Sequence, residues 1–194
     1  IIQPAPSRVL KLGSFEMKNI LLALMVLVLS GTLFAGEQPT VGSDAPSFNL
    51  QDQNGEWHTL ESYQGQWLAI YFYPKDDTPG CTTEACNFRD NIYAFKAIDA
   101  AVVGISVDDV ESHKKFSDKY KLPFTLLADS DSTTASAYGV LKDYKLLKLA
   151  SRQSFQVDPN GKIAKHYGDV DPDTHTQEVL ADIKTLSEAW KSAL

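Results

Sequence analysis

The run Trp67-Leu68-Ala69-Ile70-Tyr71-Phe72-Tyr73 leads straight into Pro74-Lys75-Asp76-Asp77-Thr78-Pro79-Gly80-Cys81-Thr82-Thr83-Glu84-Ala85-Cys86, and this stretch decides the reading of the chain. An unbroken apolar run that ends at a proline describes a buried strand. Downstream, Phe88, Ile92, Phe95 and Ile98 recur at helical spacing, so a helix is expected over residues 81–99. Cys81 then stands at a strand-to-helix turn, where backbone N–H groups and the helix dipole stabilise a thiolate. A free cysteine titrates at about 8.5, so such help matters at neutral pH. The position points to redox chemistry.

Cys81 and Cys86 are the only cysteines. On one helix, five positions turn their side chains roughly 140° apart and hold their Cα atoms about 8.6 Å apart. A disulfide needs Cα atoms within about 7 Å. The pair cannot bond while the helix is intact, and a bond requires the first turns to unwind. That suits a redox cycle better than a permanent staple, although a stabilising disulfide in an exported protein is the competing reading at this point. The spacing, with His58 and His113 the nearest histidines, does not match the usual zinc ligand patterns, and neither metal nor cofactor is expected.

Pro74, Thr78 and Cys81, as Pro-x-x-x-Thr-x-x-Cys, resemble the active-site signature of the peroxiredoxins. Thr-Pro-Gly-Cys-Thr-x-Glu-Ala-Cys, ending at Cys86, is similar to the subgroup called peroxiredoxin Q or bacterioferritin comigratory protein. The likeness covers nearly all the chain from about residue 40. It implies a peroxidase in which Cys81 attacks the peroxide O–O bond and becomes a sulfenic acid. Cys86 would resolve it as an intramolecular disulfide, and a thioredoxin-like donor would recycle the enzyme. Arg152, by the same resemblance, holds the thiolate and the peroxide. Lysine would supply charge there without the planar fork. Thr78 contributes its hydroxyl at the reacting oxygen, and Pro74 shields the thiolate. Glu84 either orients the arginine or merely stabilises the first helical turn. Arg89 is expected to be structural, paired with Asp90 or Glu84.

The rest of the chain fits around this centre. Asp52-Gln53-Asn54-Gly55, between Phe48–Leu50 and Trp57–Leu60, is a hairpin signal. Further strands are expected at 102–107 and 124–128, and a hairpin at 154–157 and 162–167. Helices are expected at 109–120 and 132–138, with a closing helix at 174–193. Parallel crossovers followed by an antiparallel hairpin give an α/β, thioredoxin-like fold: a central mixed sheet flanked by helices, with an N-terminal β-hairpin.

Composition narrows the rest. The 194 residues suffice for one domain with a sizeable core, and the net charge of −7 without a basic run excludes a nucleic-acid partner. Met17-Lys18-Asn19, the apolar run Ile20–Leu29 and a small-residue end near Ala35 describe a signal peptide. The expected division is an upstream extension at 1–16, a signal peptide at 17–35 and a domain at 36–194. The expected location is periplasmic or otherwise exported, with no membrane attachment after cleavage. An internal resolving cysteine removes the chemical need for a partner subunit, so a monomer is expected. Lys142, Lys145 and Lys148 read as a solvated face, and the histidines as surface or satisfied residues. An exported thioredoxin-like disulfide oxidoreductase would use Cys-x-x-Cys, which this chain lacks. A non-enzymatic module with the same fold would have no use for the intact Pro74, Thr78, Cys81, Arg152 set.

Overall fold

The computed structural model describes residues 37–192, and the extension and signal-peptide segments lie outside the described residues. In chain order the elements are β1 (Asn49–Asp52), β2 (Trp57–Thr59), β3 (Trp67–Phe72), α1 (Pro79–Lys96), β4 (Ala100–Ser106), α2 (Val110–Tyr120) and β5 (Thr125–Ala128). Then follow α3 (Thr133–Ala137), β6 (Leu141–Asp143), β7 (Lys148–Ala150), β8 (Gln153–Val157), β9 (Ile163–Tyr167) and α4 (His175–Ser192). Among the described residues, no helix is long and apolar enough to cross a membrane.

Seven strands form one mixed sheet in the order β2-β1-β5-β4-β3-β8-β9. β3 pairs parallel with β4, and β4 with β5, while β8 runs antiparallel to β3 and β9 antiparallel to β8. The N-terminal hairpin is not a separate appendage. β1 pairs antiparallel with β5 and so extends the sheet at that edge. Its turn is held by the Asp52 carboxylate, which accepts from the backbone N–H of Asn54 at 2.8 Å and of Glu56 at 3.0 Å. Gly55 supplies the left-handed φ of 80° that the turn needs.

Every residue of β3 is buried because both faces of the sheet are covered. The period-2 alternation sorts them. Trp67, Ala69, Tyr71 and Tyr73 pack with Cys81, Ala85, Phe88, Ile92 and Phe95 of α1 and with Val179, Leu180 and Ile183 of α4. Leu68, Ile70 and Phe72 point to the other face, among Phe48, Tyr138, Val140 and Phe155. A residue such as Phe88, with no exposure, contributes about 1.5–3 kcal/mol through burial. The helix carrying the cysteines is thus packed on the sheet from Cys81 onward.

Two elements escape the sequence reading. The lysine-bearing stretch forms a small separate hairpin of β6 and β7, with Lys142, Lys145 and Lys148 all exposed. Residues Leu60–Tyr63 form a 3-10 turn. Also, α1 begins at Pro79, two residues before the expected start, because proline at the first helical position loses no hydrogen bond.

Candidate active site

Strand register brings two distant segments together. Phe72, the last residue of β3, pairs with Gln153, the first residue of β8. Arg152 therefore lies level with the chain as it leaves β3 toward Cys81. The Arg152 Nη2 donates to Cys81 Sγ at 3.2 Å. Its Nη1 donates to Glu84 Oε2. One planar guanidinium thus spans a sulfur and a carboxylate one helical turn apart, which lysine could not reproduce.

The sulfur is enclosed. Cys81 is 1% exposed, whereas Cys86 is half-buried, and both are free thiols in the same intact helix. Neither is in a disulfide, as the helical spacing requires. Glu84 is fully buried, with Oε1 lacking a partner. Burial pushes its carboxyl up to about 7, against the opposing pull of Arg152. Burial works against the Arg152 charge too, but Glu84 and Cys81 outweigh it and raise its pKa. Of the two readings of Glu84, the arginine partner is the one the geometry supports.

Thr78 is the N-cap of α1, yet its side chain makes no cap bond. Its Oγ1 donates instead to the Lys75 carbonyl at 3.0 Å. That spends the hydroxyl proton and leaves the oxygen free to accept. Pro74 lies half-buried at the start of the loop. Arg89 pairs with Asp90 at 2.8 Å and donates to the Tyr120 carbonyl at 2.8 Å; Glu84 is not its partner.

Gly80 is a site residue that the motif did not single out. A Cβ there would meet Arg152 Nη2 at 3.2 Å, so the absence of a side chain lets the guanidinium reach the sulfur. Asp76 is another. It is buried, and its carboxylate accepts from Tyr73 Oη at 2.8 Å and Ser112 Oγ at 2.8 Å and meets His113 Nδ1 at 2.8 Å. Of the surface and satisfied alternatives, His113 and His175 take the second: both are buried and hydrogen-bonded, His175 to Ser154 at 2.8 Å.

Comparison with known proteins agrees with this geometry. Residues 41–166 match the AhpC/TSA family. The chain is 40% identical over 152 residues to peroxiredoxin Bcp of Bacillus subtilis, covering 76% of this chain and 97% of that one. It is 44% identical over 146 residues to a chloroplastic peroxiredoxin Q of rice, Oryza sativa subsp. japonica, covering 75% and 67%. PrxQ from Xylella fastidiosa superposes with a TM-score of 0.73 at 32% identity, over 78% of this chain and 99% of that one. The bacterioferritin comigratory protein of Xanthomonas campestris, described for its alkyl peroxide reduction activity, gives a TM-score of 0.68 at 34% identity, over 72% and 92%. The chain belongs to the AhpC/TSA family. Within it, this is a peroxiredoxin of the Bcp and Q group, a thiol-dependent peroxidase with a thioredoxin-like fold.

Proposed function

We propose that Cys81 is the peroxidatic cysteine and Cys86 the resolving one. The observation that carries this is the single contact of Arg152 with the Cys81 sulfur at 3.2 Å, at the first turn of a helix. A guanidinium N–H and the unpaired N–H groups of that turn together bind an anion. The Cys81 thiolate attacks the nearer peroxide oxygen. The S–O bond forms, the O–O bond breaks, and the departing oxygen takes a proton to leave as water or alcohol. Arg152 donates to the oxygen that gathers charge, and the free lone pairs of Thr78 accept from the peroxide hydrogen. Pro74 keeps water from the sulfur, and Glu84 holds the arginine in place.

The substrates are hydrogen peroxide and organic hydroperoxides, a reading supported by the alkyl peroxide activity ascribed to the Xanthomonas relative. A thioredoxin-like dithiol returns the disulfide to two thiols. A resolving cysteine in the same chain needs no partner subunit, which supports a monomer, and the Met17–Ala35 pattern supports export. Mass analysis of protein from the native envelope should find an N-terminus near Gly36.

The decisive experiment is peroxide consumption by two variants. Cys81→Ser should lose activity altogether. Cys86→Ser should complete one fast turnover and then stall with a dithiol donor. Normal peroxidase activity in Cys81→Ser would overturn the assignment.

A further inference from the structure

The segment that must unwind is bracketed by contacts to one residue. Upstream of Cys81, Asp77 sits at a φ of 56°, a left-handed conformation that a residue with a side chain adopts at some cost. Its carboxylate is held there by Tyr120 Oη at 2.6 Å and by Lys119 Nζ at 2.7 and 2.6 Å. Downstream of Cys86, Arg89 Nη1 donates to the backbone carbonyl of the same Tyr120 at 2.8 Å. Asn87 Nδ2 adds a bond to the Pro172 carbonyl at 2.9 Å. The Tyr120 ring is itself fixed, packed edge-on against Phe116 with centroids 5.3 Å apart. The end of α2 therefore grips the chain just before and just after the stretch 78–86, while no bond of this kind crosses to α2 from within it.

We propose that Tyr120 is a two-ended clamp that confines redox-linked unwinding to residues 78–86 and sets how readily that stretch opens. The proposal rests on the peroxidatic and resolving roles given above, and concerns what regulates passage between them. In the resolving step the Cys86 thiolate attacks the sulfenic sulfur of Cys81. The S–S bond forms, the S–O bond breaks, and hydroxide leaves to become water. That attack waits on opening. Each bond that holds the helix start closed delays resolution and lengthens the exposure of the sulfenic acid to a second peroxide, which would carry it to the sulfinic acid. The Asp77 contact controls the opening, and the Arg89 contact marks where it stops. Tyr120 touches neither sulfur, so it is a positioning residue.

Tyr120→Phe separates the roles, because it keeps the ring packing on Phe116 and the carbonyl used by Arg89 while removing the hydroxyl bond to Asp77. Reduced protein is mixed with hydrogen peroxide, acid-quenched and followed by mass. The rate of 81–86 disulfide formation should rise about two- to tenfold, the range of one net hydrogen bond. The sulfinic fraction at excess peroxide should fall, and the rate of sulfenic acid formation should stay within about twofold. Arg89→Gln tests the other end. Hydrogen exchange of the oxidised wild type should lose protection only as far as amide 90, whose acceptor is Cys86. In Arg89→Gln the loss should extend by a further turn. If Tyr120→Phe resolves no faster than wild type and Arg89→Gln leaves the boundary in place, the clamp is wrong while the cysteine roles stand. If wild type forms no 81–86 disulfide, the cysteine roles fall and the clamp falls with them.

Discussion

Gly80 and Glu84 set how Arg152 meets the sulfur, and each can be tested without touching a reacting atom. Alanine at an exposed helical position is favoured over glycine by about 1 kcal/mol. At Gly80, however, the new Cβ would sit 3.2 Å from Arg152 Nη2, and the flexible side chain would give way. Gly80→Ala should keep or raise thermal stability yet slow peroxide reduction, by about tenfold if one charge-assisted hydrogen bond is weakened. Rates equal to wild type would show that the arginine has slack. Glu84 makes a pH prediction. Its carboxyl is pushed up to about 7 by burial, above its ordinary 4.5. In that window the folded state binds more protons than the unfolded one, so this group's contribution to stability is greatest below 4.5. It is lost as pH rises toward 7. Activity runs the opposite way, because protonation removes the charge that holds Arg152. Wild type should lose activity as pH falls through about 7, and Glu84→Gln should lack both that inflection and the falling stability. Persistence of both in the variant would assign them elsewhere. Cys81, Cys86, Thr78 and Glu84 could be picked out because they fall in one stretch that resembles a family signature, and the resemblance reached Arg152, which the structure brings to Cys81 and Glu84. Gly80 and Asp76 were not. Their roles depend on what approaches them in space, Arg152 from the start of the neighbouring strand β8 and His113 from α2, and neither approach is written in local spacing.

At the level of elements, periodicity carried most of the information. The all-apolar β3 and the helical spacing of Phe88, Ile92 and Phe95 were readable because burial imposes those patterns directly. The β6–β7 hairpin was missed because its tip is exposed throughout, so nothing buried leaves a period in the sequence. The join between β1 and β5 was missed because edge pairing is a backbone matter. Packing between elements is where Gly104 matters. It pairs with Tyr71 across the parallel ladder, and a Cβ there would lie 2.7 Å from the Tyr71 ring and 2.9 Å from Leu126 Cδ2. The Tyr71 ring in turn stacks on Phe88 of α1 at 4.8 Å. Gly104→Ala should therefore destabilise the fold by about 1–3 kcal/mol through overpacking. Chemical denaturation measures this directly, and an unchanged midpoint would mean that the ring has room to move.

For the molecule as a whole, the unusual consequence is that its disulfide should weaken it. A crosslink normally stabilises by restricting the unfolded chain, but the gain grows with the loop closed, and a loop of this length yields only about 2 kcal/mol. Against that stands what must open for the bond to form. Unwinding residues 78–86 removes Cys81, Glu84 and Ala85 from a site where none is more than 1% exposed. It breaks the contacts of Arg152 with both Cys81 and Glu84. It also uncovers one side of Tyr71 and Phe88, which form the cluster beneath the helix. Losing such burial costs about 25 cal/mol for each Å² exposed, and an arginine left half-buried without its carboxylate adds to the loss. Together these exceed the gain from a short loop. The oxidised protein should accordingly denature at a lower urea concentration than the reduced one. Its dependence on denaturant should also be shallower, because part of the surface is already exposed before global unfolding. A variant that cannot form the disulfide isolates the geometry from the chemistry: Cys86→Ser should match the reduced wild type in midpoint, since it keeps the helix and cannot form the bond. If the oxidised form proves the more stable, the two sulfurs meet without unwinding, and the helical separation of Cys81 and Cys86 does not govern the cycle.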